Sequence, residues 1–136
     1  MGAWSHDTFD NDIAADWAFE LQKSKDMSLL QRTLAKALQG GNNYLDADIA
    51  CEALAACDVV ARLKGNWGLR NPFTEPADLW VEANPIAVSK ELIDQANAVI
   101  DRVLSPPSEL LELWETGKEP DLWKRAVDSL RTRVNG

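Results

Sequence analysis

One segment of the chain, residues 46–64, constrains the fold more than any other. On a helix, its polar side chains form a stripe covering about a third of the circumference, and apolar side chains and alanines fill the remainder. The stripe carries Asp48, Glu52, Asp58 and Arg62. A helix that is apolar nearly all round is buried by other helices. The segment therefore predicts a central helix that begins at Asp46 and ends before Gly65.

Six further segments show helical periodicity between a capping residue and a breaker. They begin near Asp10, near Asp26 or Ser28, and near Pro76, Ser89, Ser108 and Pro120. Asp10 is the predicted N-cap of the first helix, and no segment shows the period-2 alternation of a strand. The sequence therefore predicts an all-α, single-domain protein over residues 1–136. Six or seven helices pack orthogonally or as a bundle around the central apolar helix, about 46–64.

Charge and hydropathy exclude several classes of function. The formal net charge of −8 argues against nonspecific binding to nucleic acid or to an anionic membrane, because both need basic patches. No apolar run approaches the ~20 residues that span a bilayer, and the N-terminus lacks the features of a signal peptide. Cys51 and Cys57 lie about 9 Å apart along one predicted helix, beyond disulfide reach. Reduced cysteines indicate a cytoplasmic protein.

A pattern near the N-terminus carries a family resemblance. It consists of Gly2 and Trp4, followed by Phe9-Asp10-Asn11-Asp12, Ala14, Asp16 and Trp17. This pattern resembles the N-terminal signature of the bacterial family called domain of unknown function 4259. Residues 108–115, with Trp123 after them, are similar to that family's C-terminal end. The resemblance implies a small bacterial all-α domain, and it brings no activity, cofactor or catalytic residue.

The motifs of common catalytic sites are absent from the sequence. His6 is the one histidine, which excludes a multi-histidine metal site or a histidine-based triad within one chain. There is no P-loop and no dinucleotide-binding glycine motif, so no cofactor is expected. His6, Asp10 and Asp12 could together form a local metal site. The alternative for the same residues is a solvent-exposed histidine before a capped helix.

Two stripes of carboxylates are the most distinctive surface feature. Asp12, Asp16 and Glu20 follow one another at intervals of four residues on the first helix, and Asp48 and Glu52 repeat the spacing on the central helix. Like charges at this spacing destabilise a helix by roughly 0.2–0.5 kcal/mol per pair. Three interpretations stay open: a face that maintains solubility, a docking face for a basic partner, or a metal site.

The loop of residues 65–72 holds a second candidate for recognition. Trp67 lies between two glycines and near Arg70. An aromatic ring there either covers the edge of the core or lines a recognition pocket. Most other tryptophans fall on apolar helix faces and are predicted to be core residues.

These observations favour a non-enzymatic protein-interaction module with an acidic docking face. An immunity-like or antitoxin-like protein that neutralises a basic effector is the most concrete version. The alternative is a metal-dependent hydrolase that uses clustered carboxylates. No nucleic-acid or membrane partner is expected. The candidate partner-binding residues are Asp12, Asp16, Glu20, Asp48, Glu52, Trp67 and Arg70.

Overall fold

Seven α-helices make up the described part of the chain. The structure is a computed structural model that describes residues 7–41 and 43–136. The helices are α1 Asp12–Lys23, α2 Ser28–Gln39, α3 Ala47–Leu63, α4 Glu75–Ala83, α5 Lys90–Val103, α6 Glu109–Glu115 and α7 Pro120–Asn135. Within the described ranges there is no strand, and a single parallel bridge joins Leu45 to Ser108. The predicted all-α fold is confirmed.

The helix α3 occupies the centre of the fold. It packs against each of the other six helices, and every residue from Ala53 to Arg62 is buried. Much of this stretch is alanine, whose short side chain lets neighbouring helices approach closely. The central helix predicted over about 46–64 is therefore confirmed. The polar stripe on α3 is exposed only in its first half, because Asp58 and Arg62 are buried.

Side-chain caps fix the beginnings of most helices. Asp46 accepts a hydrogen bond from the backbone N–H of Asp48 at 2.8 Å, and Ser89 caps α5 in the same way. The predicted cap of α1 is wrong by one residue. Asn11, not Asp10, has the extended backbone of an N-cap and accepts from the N–H of Ala14 at 2.8 Å. Asn and Asp cap helices equally well, so neighbouring positions could not be separated by residue type.

Tryptophan side chains in or against the core link neighbouring helices. Trp17 donates from Nε1 to Thr33 Oγ1 at 2.8 Å, and Trp80 donates from Nε1 to the carbonyl oxygen of Ser24 at 3.1 Å. Trp114 stacks on Trp123 with 6.0 Å between ring centroids. These contacts join α1 to α2, α4 to the end of α1, and α6 to α7. The predicted packing role of the four tryptophans is confirmed. Trp4 lies outside the described residues.

The end of α7 is held by the loop that follows α3. Lys64 Nζ donates to the carbonyl oxygen of Val134 at 2.6 Å, and Asn66 Nδ2 donates to that of Arg133 at 2.9 Å. Terminal helix carbonyls have no partner within their own helix, so such donors stabilise the last turn. No helix in the described residues has both the length and the apolar character needed to cross a bilayer.

Candidate functional site

Five carboxylates on α1 and α3 form what we call the acidic face. It consists of Asp12, Asp16, Glu20, Asp48 and Glu52. The first four are exposed to solvent, and the fifth is half-buried. All five were predicted from helical spacing alone, and the structure places the two stripes on helices that pack directly against each other.

The two stripes meet at Glu20 and Glu52. Burial raises the pKa of Glu52, and the negative charges of Glu20 and Asp48 raise it further. The positive charge of Lys36, on α2, opposes this shift. The charge of Glu20 on α1 acts on Glu52 of α3, so the two stripes approach each other at these two residues.

The exposed carboxylates of the described residues divide into those that form ion pairs and those that do not. Among the residues that the structure describes, none of the five carboxylates of the acidic face takes part in a salt bridge. Elsewhere, surface carboxylates such as Asp101 and Glu115 pair with basic side chains from other helices. The acidic face therefore presents charge that is available for an external partner.

Cys51 lies beside the acidic face and has a thiol of low reactivity. Burial raises the pKa of its thiol to about 12, and the charges of Asp48, Glu52 and Asp46 act in the same direction. The thiolate is the nucleophilic and metal-binding form of cysteine. The raised pKa keeps the Cys51 thiol protonated at neutral pH, which makes it a weak nucleophile.

The candidate metal site at the N-terminus can be followed only in part. His6 lies outside the described residues. Asp10 and Asp12 flank the N-cap Asn11 at the start of α1, and Asp12 is exposed. Within residues 7–41 and 43–136, no three histidine, cysteine or carboxylate side chains are grouped so that they could hold a metal ion. The metal ligation by His6, Asp10 and Asp12 stays a prediction.

Trp67 and Arg70 are held by contacts within the protein. The guanidinium of Arg70 lies over the Trp67 ring, with Cζ 4.3 Å from the ring centroid, and Cζ of Arg62 lies 5.8 Å from the same centroid. Arg70 also pairs with Glu82 at 2.6 Å and with Asp78 at 3.4 Å. Arg70 is about half exposed, and Trp67 is partly buried against the core. Their proposed role in recognition is untested. Through Arg70, the loop of residues 65–72 is bound to α4 by two ion pairs.

A buried charge network lies behind this loop, and sequence reasoning missed it. Arg62 donates from Nε to Asp58 at 2.8 Å and from Nη1 to Asp78 at 2.7 Å. Arg133 donates to both carboxylate oxygens of Asp58, at 2.8 and 3.1 Å. The side chains of Arg62, Asp58 and Asp78 are at most 5% exposed. The spacing of Asp58 and Arg62, four residues apart in an apolar helix, was the one local signal of the network.

A small cavity of about 90 Å³ opens beside the network. Its wall includes Asp58, Arg62 and Phe9, a residue of the N-terminal signature. The Phe9 ring lies 5.6 Å from the Arg62 guanidinium. The third guanidinium nitrogen of Arg62, Nη2, donates to the carbonyl oxygen of Leu69 at 2.8 Å. Every guanidinium nitrogen of Arg62 therefore has a hydrogen-bond partner inside the protein. The network joins α3 to α4, to α7 and to the loop that follows α3.

Comparison with known proteins gives a family and no activity. The family model described as "Domain of unknown function (DUF4259)" matches residues 2–126. No curated protein and no solved structure matches the chain. The matched range runs from the N-terminal signature into the first half of α7 and covers most of the sequence. The chain therefore belongs to the DUF4259 family, a family of domains of unknown function.

Proposed function

We propose that this protein is a non-enzymatic interaction module whose acidic face binds a basic protein. The single observation that carries the proposal is the position of the two carboxylate stripes on α1 and α3, helices that pack directly against each other. Among the described residues, none of the five carboxylates forms an ion pair. In its most concrete form, the protein neutralises a basic effector in the manner of an immunity protein or an antitoxin.

The energetics of α1 support this proposal. Asp12, Asp16 and Glu20 repel one another at a cost of roughly 0.2–0.5 kcal/mol per pair. Asp12 lies in the first turn, where the helix dipole favours a negative charge, whereas Glu20 lies too far along the helix to benefit. A basic surface docked on α1 would remove this repulsion. Complementary charge would also speed the encounter of the two proteins.

The test compares two triple variants with the same change in net charge. The face variant carries Asp12→Asn, Asp16→Asn and Glu20→Gln. The control variant carries Glu91→Gln, Asp94→Asn and Asp121→Asn, which alter exposed carboxylates on α5 and α7. Host proteins captured by the wild type are purified, and their association rates with all three forms are measured at increasing salt.

We expect the association rate of a basic partner to fall about tenfold in the face variant and little in the control. The rate for the wild type should also fall with added salt, since exposed charges are screened over about 10 Å at 0.1 M. Equal rates for the two variants, or no saturable binding by any purified basic protein, would refute the proposal.

The antitoxin version has a separate readout. If the captured protein arrests growth when it is produced alone, co-production of the wild type should restore growth. Co-production of the face variant should not. A partner whose production is harmless would leave the docking proposal standing and would remove its antitoxin version.

A further inference from the structure

We infer that the acidic face is one side of a larger docking surface, completed by a groove between the ends of α1 and α4 and by the exposed apolar side chains Phe19 and Leu79, and that this surface fits a basic amphipathic helix. The inference rests on the proposed function and specifies the shape of the partner. The groove has a volume of about 520 Å³. Its lining combines three apolar residues, Leu79, Trp80 and Ala83, with four polar ones, Gln22, Ser24, Lys25 and Asn84.

Two large apolar side chains are exposed on these helices. Phe19 of α1 is 55% exposed, and Leu79 of α4 is 46% exposed. Single exposed apolar residues are ordinary, but these two belong to helices that pack directly against each other. Gln22, one turn after Phe19 on α1, lines the groove together with Leu79.

Helix geometry places Phe19 between the groove and the acidic face. At 100° per residue, Phe19 lies about 60° from Asp16 on one side and about 60° from Gln22 on the other. The aromatic ring therefore stands on the border where the carboxylates end and the groove begins. A partner that buries Phe19 has carboxylates along one edge of the contact and apolar surface along the other.

Trp80, in the lining of the groove, is anchored in the core. Trp80 is 2% exposed, and its Nε1 donates to the carbonyl oxygen of Ser24, which ties α4 to the end of α1. Groove-binding helices are recognised through apolar side chains spaced three, four and seven residues apart. The 12 residues of α1 extend over about 18 Å, enough to contact about three turns of such a helix.

Charge selects the occupant and its orientation. The basic side chains of the docked helix would lie over Asp12, Asp16 and Glu20, and its apolar side chains would lie on Phe19 and Leu79. Lys25, which follows the end of α1 and also lines the groove, would repel a basic side chain at that end. A second copy of this chain fits poorly, because each copy carries a net charge of −8.

The test uses two synthetic peptides of about 18 residues with identical composition, made of leucine, alanine and lysine. In one, the leucines form a single helical face; in the other, their order is scrambled so that no apolar face exists. The groove variant is Phe19→Ser with Leu79→Ser. Its matched control is Leu69→Ser with Leu113→Ser, which alters two other exposed leucines. Circular dichroism checks that both variants fold.

We expect the amphipathic peptide to bind the wild type about tenfold more tightly than the scrambled one. The groove variant should lose that advantage, and the leucine control should retain it. Backbone amide shifts on binding should map to α1 and α4. If the groove variant binds both peptides as the wild type does, the groove is not part of the docking surface and this inference fails.

The face variant separates this inference from the proposed function. If it weakens the binding of both peptides while the groove variant changes nothing, the acidic docking face stands and the groove is rejected. If the face variant binds the amphipathic peptide as tightly as the wild type, the charge requirement fails, and both proposals fall. Sedimentation equilibrium of the protein alone gives the remaining outcome: a dimer that Phe19→Ser dissociates would assign the groove to a second copy and overturn the inference.

Discussion

Asp58 shows how much one residue can determine in this protein. Its carboxylate lies in an otherwise apolar stretch of α3 and accepts hydrogen bonds from Arg62 of the same helix and Arg133 of α7. Replacing Asp58 with alanine removes the carboxylate that Arg62 and Arg133 share, in a region with little access to water. Breaking a buried ion pair by removal of one partner typically costs about 3–5 kcal/mol.

We therefore expect Asp58→Ala to lower the free energy of unfolding by about 3–5 kcal/mol in urea titrations. The control is Asp101→Ala, which removes the partner of Arg131 in an exposed ion pair and should cost at most about 1 kcal/mol. Similar losses for the two variants would mean that water reaches the Asp58 network freely.

Gly68 is required by the same network for a steric reason. A Cβ atom added at this position would lie 2.7 Å from Cζ of Arg133, whose guanidinium is held on both sides of its fork by Asp58. We expect Gly68→Ala to cost about 1–3 kcal/mol, as overpacking does. In an Arg133→Ala background the cost of Gly68→Ala should fall, and a double-mutant cycle measures the coupling. Additive losses would contradict the close contact.

At the residue scale, sequence reasoning succeeded where the signal was local. The carboxylates of the acidic face were found from their four-residue spacing on two helices. The buried network was missed because Asp78 and Arg133 lie 16 and 75 residues from their partners in the sequence. Nothing in the periodicity of α4 or α7 indicates which polar residue faces inward to a charge. Such pairings depend on tertiary packing.

At the scale of elements, one helix caps another. Glu109, in the first turn of α6, accepts a hydrogen bond through Oε1 from the backbone N–H of Ala47 at the start of α3, at 2.8 Å. The first N–H groups of a helix have no internal partner, and a carboxylate there also interacts favourably with the helix dipole. The carboxylate of Glu109 therefore stabilises the N-terminus of the central helix α3.

Glu109→Ala should destabilise the protein by about 1 kcal/mol, the usual cost of a lost cap. The diagnostic readout is local: hydrogen exchange at the Ala47 amide should accelerate more than exchange in the middle of α3. Glu115→Ala, on the same helix, removes an exposed ion pair with Lys124 and should leave exchange at Ala47 unchanged. If both variants accelerate it equally, the Glu109 contact does not protect this amide.

The helices themselves were predictable from the sequence. Glycines and prolines mark most of their ends, and serine or aspartate marks several of their beginnings, as at Asp46 and Ser108. The groove between α1 and α4 was not predictable, because it depends on which sides of two helices meet. The exposure of Phe19 and Leu79 follows from that packing and has no counterpart in either helix alone.

For the molecule as a whole, the partial burial of Glu52 beside other carboxylates makes stability depend on pH. The raised pKa of Glu52 means that the folded state holds its proton more tightly than the unfolded state does. Stability from this group is therefore lost as pH rises from the ordinary glutamate pKa, 4.5, through the folded value.

We expect Glu52→Gln to be more stable than the wild type at pH 7, by about 0.2–0.5 kcal/mol, the usual size of the repulsion with Asp48. The advantage should disappear below pH 4, where Glu52 is protonated in both states. Thermal melts of the two proteins across this range provide the test. An advantage that grows as pH falls would show that the carboxylate of Glu52 stabilises the fold.

The contacts that hold the C-terminal half of α7 determine where the protein can be truncated. The family match stops at Ala126, inside α7, whereas Leu130 and Val134 lie in the core beyond it. A recombinant fragment trimmed at that boundary would lose Arg133 and the carbonyls that receive Lys64 and Asn66. Expression boundaries should therefore follow the helix to Asn135. An affinity tag is best joined beyond Gly136 through a flexible spacer.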